Sequence, residues 1–176
     1  MSHRPAPSRH VALIGLGLIA SSICHALRRG GFEGRITGTA RSPATRDRAR
    51  TLGLCEVAET AADAAAGADL VLLCVPIGAM AEVMEEIASA LAPGATLSDV
   101  GSVKAAVVDA VAPLVPEEVH FIPAHPLAGT EHSGPDAGFA ELFDNRWCIL
   151  TPLEGCDGEA IDRLAEFWRS LGAQTE

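Results

Sequence analysis

His10-Val11-Ala12-Leu13-Ile14-Gly15-Leu16-Gly17-Leu18-Ile19-Ala20 is the stretch on which the reading of the fold turns. A short apolar run goes straight into a glycine, as a buried strand does when it ends in a tight turn. A second glycine stands two positions on, and an alanine three beyond that. In this Gly-x-Gly-x-x-Ala spacing Gly15 permits the turn. Gly17 lets an anion approach the backbone, and Ala20 keeps helix and strand close. Residues 19–29 follow as a helix, closed by Gly30-Gly31. A strand, a glycine turn and a helix start, in that order, make the phosphate corner of a dinucleotide site, because free N–H groups and the helix dipole attract a pyrophosphate. Gly15, Gly17, Leu18, Ile19 and Ala20 are therefore expected to line a bound dinucleotide.

Outward from this corner, apolar runs alternate with alanine-rich helical stretches. Residues 35–40 read as a second strand, and 43–52 as a helix with Pro43 in its first turn and Gly53 beyond its end. Asp69-Leu70-Val71-Leu72-Leu73-Cys74-Val75-Pro76 is the strongest buried strand, with an alanine-rich helix over 61–68 before it. Further strands are expected at 96–100 and 120–124, and helices at 79–91, 103–111 and 158–171. Residues 127–145 carry several glycines and read as loop. Such alternation builds βαβ units, so the expected fold is α/β: a Rossmann-type, doubly wound, mostly parallel sheet. Residues 1–9 are polar and proline-bearing and read as a flexible leader rather than a signal peptide, leaving 10–176 as the dinucleotide-binding domain. Residues 171–176 look like a helix end running into a new strand, as in the first domain of a longer protein.

Composition narrows the partners. Hydrophobic residues make up 48% of the 176, enough for one core, while aromatics are only 4% and tyrosine is absent. The core is therefore aliphatic, as in buried parallel sheets. A net charge of -10 repels phosphate backbones, which argues against nucleic acid. No apolar run has the length of a membrane span. The five cysteines (Cys24, Cys55, Cys74, Cys148, Cys156) form no CxxC pair, which suits a reducing, cytoplasmic setting. No zinc-ligand spacing, serine elbow or phosphate-loop lysine motif is present.

The end of the second strand bears on the cofactor. NAD sites usually place Asp or Glu there, to bond the ribose 2′-hydroxyl. This chain has Ala40-Arg41-Ser42 instead. Arg41 can pair with a 2′-phosphate and Ser42 can donate to it, so NADP is expected ahead of NAD.

Three later motifs fall at strand ends on the edge where open α/β sheets bind ligands. Val75 and Pro76 close the strongest strand. Ser102, in Asp99-Val100-Gly101-Ser102-Val103-Lys104, stands directly before a helix, either as its N-cap or as a reactive hydroxyl. His125 opens His125-Pro126-Leu127-Ala128-Gly129-Thr130-Glu131-His132-Ser133-Gly134 and is placed for acid–base work near neutral pH.

Together GLGLIASS, LCVP, SDVGSVK and AHPLAGTEHSGPDAGFAELFDNRWCILTP resemble the prephenate/arogenate (cyclohexadienyl) dehydrogenase family of tyrosine biosynthesis, from about His10 onward. The resemblance implies oxidative decarboxylation of a small cyclohexadienyl acid, with hydride passing to NAD(P)+. It assigns catalysis to His125, bonded to the ring hydroxyl, and to Ser102, and it places Thr130 and Glu131 in the substrate pocket. It further implies a C-terminal helical domain that makes a homodimer and clamps a substrate carboxylate. That domain is absent from this chain, so the chain alone is expected to bind cofactor with little activity. Two other readings fit the glycine turn: a 3-hydroxyacid dehydrogenase-like reductase and a non-catalytic nucleotide sensor. The Ser102 and His125 pair argues against the first, and an intact His125 against the second.

Overall fold

The computed structural model describes residues 6–176. Residues 1–5 of the expected leader lie outside the described residues. Arg9 is already tied to the body, its N–H donating to the Asp69 carboxylate at 2.8 Å and its carbonyl accepting from Arg35 N–H at 2.8 Å.

Six parallel strands form the main sheet: β1 (His10–Ile14), β2 (Arg35–Thr39), β3 (Glu56–Val57), β4 (Leu70–Leu73), β5 (Thr96–Asp99) and β6 (His120–Phe121). Their order is β3-β2-β1-β4-β5-β6. The order reverses direction between β1 and β4, and ligands bind at the carboxyl edge of such a switch point. Helices α1 (Leu18–Arg29), α2 (Pro43–Thr51), α3 (Ala61–Ala65), α4 (Ile77–Ile87), α5 (Lys104–Val111) and α6 (Gly158–Ser170) cover it. β1 shows why both faces must be covered. Val11 and Leu13 enter one apolar cluster with Ile23 and Leu27 of α1 and with Phe167 and Trp168 of α6. Ala12 and Ile14 enter a second, with Met80 and Met84 of α4 and Val107 of α5. Successive side chains of a strand point to opposite faces, so a strand buried on both faces reads as an unbroken apolar run.

The expected strand over 120–124 is in fact two pieces. Ile122 N–H makes a last ladder bond to the Leu97 carbonyl at 2.9 Å. Pro123 has no N–H to continue, and its carbonyl turns to Thr151 N–H at 2.9 Å. The chain then enters a second, three-stranded sheet of β7 (Ala124–Pro126), β8 (Trp147–Leu150) and β9 (Gln174–Thr175). β7 runs antiparallel to β8, which makes the fold mixed rather than wholly parallel. The expected helix over 61–68 ends at Ala65. The loop after β7 is pinned to the body at several points. Arg29 on α1 donates to Asp144 at 2.6 and 2.9 Å, Arg48 on α2 pairs with Asp136, and Phe139 N–H donates to Ser22 Oγ at 3.1 Å.

Candidate active site

The glycine turn is set by crowding on one side and open space on the other. Gly15 has φ +105°, and a Cβ there would lie 2.6 Å from the Cys74 carbonyl oxygen. Only glycine fits, and this close approach lets β1 and β4 end side by side. Gly15 N–H donates to the Thr39 carbonyl at 2.9 Å, which ties the turn to the end of β2. Gly17 is the N-cap of α1, with no side-chain cap and no acidic residue in the first turn. Nothing lies within 4 Å of where its Cβ would stand. The start of α1 thus has no side-chain cap and open space beside Gly17, an arrangement that fits the pyrophosphate of a dinucleotide. Ala20 is fully buried against the strand. Leu18 begins the helix and packs on the core.

A cavity of about 400 Å³ opens from Gly15 along the ends of β1, β2 and β4, past Thr39, Ala40 and Arg41. Arg41 is exposed and forms no ion pair among the described residues. Ser42 is the N-cap of α2, its Oγ accepting from Thr45 N–H at 3.4 Å. That role leaves its proton free to donate. Arg46 was not picked out by sequence reasoning. Its Nη1 donates to the Ala40 carbonyl at 2.7 Å and to the Arg41 carbonyl at 3.2 Å, so it shapes the loop that carries Arg41. Glu59, in the same wall, is neutralised by Arg46 at 3.3 Å and by Arg50. The available signal was spacing: Arg46 stands four residues after the cap, on the side of the helix that faces back to the loop.

Val75 and Pro76 also border a second cavity, of about 340 Å³, lined by Ile19, Gly101, Ser102 and His125. Residues from the β4–α4 connection, α1, the β5–α5 loop and β7 meet here, although Ile19 and His125 are far apart in sequence. The structure thus brings together Ile19, Val75, Pro76, Ser102 and His125. Ser102 is not the cap of α5. Val103 holds that position, and no side chain caps the helix. The reason is that Gly101 N–H turns inward to the Asp99 carboxylate at 2.7 Å, which carries Ser102 out toward the cavity. Thr130 and Glu131 do not line this cavity. Both are exposed; Thr130 Oγ1 accepts from His132 N–H at 3.1 Å, and Glu131 lies 3.4 Å from the His132 ring.

Asp99 and Lys104, quoted in the sequence only as part of a motif, pair next to the segments that carry the two reactive side chains, Asp99 buried and Lys104 half-buried. Asp99 is completely buried. Its carboxylate accepts from Gly101 N–H, from Ala124 N–H at 3.1 Å and from the Lys104 ammonium. Desolvation pulls Lys104 below the usual lysine range, against the hold of Asp99. Burial pushes the Cys74 and Cys148 thiols up to about 12, so both stay protonated and unreactive near neutral pH. Among the described residues no group of His, Cys, Asp and Glu is placed to hold a metal ion.

Fold and cleft define a dinucleotide-binding α/β domain that presents a hydroxyl and an imidazole at the far end of its cleft. The family described as prephenate dehydrogenase, nucleotide-binding domain, matches residues 23–176, and the chain belongs to it. That match begins inside α1, past the glycine turn, whereas individual relatives align over nearly the whole chain. The chain is 42% identical to the cyclohexadienyl dehydrogenase of Zymomonas mobilis over 94% of its own length and 57% of that protein's. The crystal structure of prephenate dehydrogenase from A. aeolicus in complex with hydroxyphenyl propionate and NAD+ superposes with a TM-score of 0.88 at 28% identity. It covers 98% of this chain and 60% of that one. Synechocystis arogenate dehydrogenase superposes with a TM-score of 0.85 at 32% identity, over 95% and 58% of the two chains. The chain spans 44 to 57% of the length of the curated relatives it matches. No helix among the described residues is long and apolar enough to cross a membrane.

Proposed function

We propose that the full-length protein catalyses the oxidative decarboxylation of prephenate, arogenate or both, with NADP+ used ahead of NAD+. The observation that carries this reading is the cavity shared by Ser102 and His125, which meets the glycine-turn cleft at Val75 and Pro76. When bound, the nicotinamide supplies the hydride acceptor. His125 accepts the hydrogen bond of the substrate's ring hydroxyl and takes its proton as the carbon beneath is oxidised. Ser102 holds that hydroxyl and the imidazole in one geometry. The ring ketone then loses its carboxylate as CO2 and becomes aromatic. Thr130 and Glu131 are assigned to the substrate pocket by the family resemblance alone, as both lie exposed outside the Ser102 and His125 cavity. The relatives' names, cyclohexadienyl, prephenate and arogenate dehydrogenase, support the substrate class without choosing within it.

NADP rests on Arg41, which is exposed beside the cleft where NAD sites usually place a carboxylate. The same reading carries a cytoplasmic homodimer, checked by light scattering on the full-length protein. A panel of both substrates against both cofactors, on wild type and His125→Asn, tests the reaction. The variant is expected to lose about 10²- to 10⁴-fold in kcat, the usual worth of a positioned acid or base. Unchanged kcat would remove His125 from the mechanism, and a clear NAD preference would overturn the role given to Arg41.

A further inference from the structure

Lys104 is the only lysine in the chain, and its half-buried ammonium is engaged by a fully buried carboxylate rather than free in solvent. Its ammonium donates both to the Asp99 carboxylate and to the Ala124 carbonyl, the latter at 2.5 Å. Asp99 in turn accepts from Ala124 N–H. Ala124 is thus gripped by its donor and its acceptor together, and His125 is the next residue. On the other side Asp99 holds Gly101 N–H, and Ser102 is the next residue there. The fit at Gly101 is close: a Cβ would lie 3.0 Å from Asp99 Oδ2 and 3.0 Å from Val107 Cγ2. Cys148, paired with Pro126 across β7 and β8, fills the remaining side as a neutral thiol under the influence of both charges.

A hydrophobic pair of the same volume stabilises a fold about as well as a buried ion pair does. It cannot hold two peptide units at once, one in the β5–α5 loop and one in β7. A lysine suits this task better than an arginine, because a compact ammonium with three donors can serve two acceptors at close range.

We infer that Asp99 and Lys104 are positioning residues which set His125 and Ser102 in register across the cavity, by locking the peptide units of Ala124 and Gly101. The inference rests on the reading of His125 and Ser102 as the acting groups. It adds that their alignment is made from below by one buried pair, and not by the substrate alone.

The test is a double-mutant cycle in the full-length protein: Asp99→Asn, Lys104→Met and the two combined, with His125→Asn and Ser102→Ala assayed beside them. Steady-state kinetics and thermal unfolding are read on each. Either single variant is expected to lower kcat by about 10- to 100-fold, the scale of an ångström's misplacement. KM for the dinucleotide should stay within about twofold, because the glycine turn is untouched. Lys104→Met leaves a buried carboxylate unpaired, so its Tm should fall. The double variant carries no unpaired charge. It is expected to regain most of the Tm while kcat stays at the level of the singles. Recovery of kcat together with Tm would mean that the pair is only structural, and would overturn the inference. So would single variants with wild-type kcat when His125→Asn and Ser102→Ala have lost theirs. If those two also keep kcat, it is the proposed reaction mechanism that fails. Should the double variant not fold, Lys104→Arg takes its place. It keeps the charge and the ion pair but changes the reach to the Ala124 carbonyl, and low kcat at preserved Tm is again expected.

Discussion

At one end of the cleft the working parts are backbone. Gly15 makes the turn, Gly17 leaves the space, and the uncapped start of α1 offers its N–H groups. All of them lie within six consecutive residues. At the other end the working parts are side chains, Ser102 in the loop after β5 of the first sheet and His125 in β7 of the second, braced by Asp99 and Lys104. The two ends are therefore vulnerable in different ways. A local motif fails when its own residues change. A composite site also fails when a distant support moves.

The largest effect is expected at the composite end. His125→Asn should cost the most, as set out above, while dinucleotide affinity holds. At the backbone end, Gly15→Ala and Gly17→Ala should part company. Gly15 combines a positive φ with a Cβ position 2.6 Å from a carbonyl oxygen. Its replacement is expected to destabilise by on the order of 3 kcal/mol, seen as a Tm lower by about 10 °C. Gly17 has neither constraint. Gly17→Ala should leave Tm within about 2 °C while weakening dinucleotide binding about tenfold or more, because its methyl enters the pyrophosphate space. Equal effects of the two on Tm would show that the turn is not divided as described.

Arg41→Ala should lower kcat/KM for NADP about 10- to 100-fold relative to NAD, the worth of one charge-assisted contact. A uniform loss with both cofactors would assign Arg41 to the loop rather than to the 2′-phosphate.

The smallest expected effect is in pH. The Cys74 and Cys148 thiols titrate at about 12 in the folded chain against an ordinary 9.0. Between these values the unfolded chain has released protons that the folded chain still holds, so stability falls as pH rises. Lys104 is shifted the opposite way, and its opposing contribution dies away as pH passes its ordinary 10.5. From there to pH 12 the two thiols outweigh it, and the chain has no tyrosine to mask them. Tm followed by circular dichroism should drop across that window and drop less in Cys74→Ala. Parallel curves would remove the thiol from the account.

The sequence alone determined the dinucleotide corner. Strand, turn and helix are short-range structures, and each small residue in Gly15-x-Gly17-x-x-Ala20 has a reason that depends on its immediate neighbours. The alternation of β1 to α5 was legible for the same reason, except for the two-residue β3, which has too little apolar pattern to read. The family motifs named Ser102 and His125, but nothing in their spacing showed that they share a cavity. The tertiary structure decided the rest. Pro123 ends the ladder of the first sheet and sends His125 into a second one, where its position depends on β8, more than 20 residues away. Arg46, Asp99 and Lys104 take their roles from carbonyls and amides that only folding brings near them. A polar side chain's partners are set by three-dimensional proximity. Patterns of hydrophobicity, which follow the local period of the backbone, leave them unspecified.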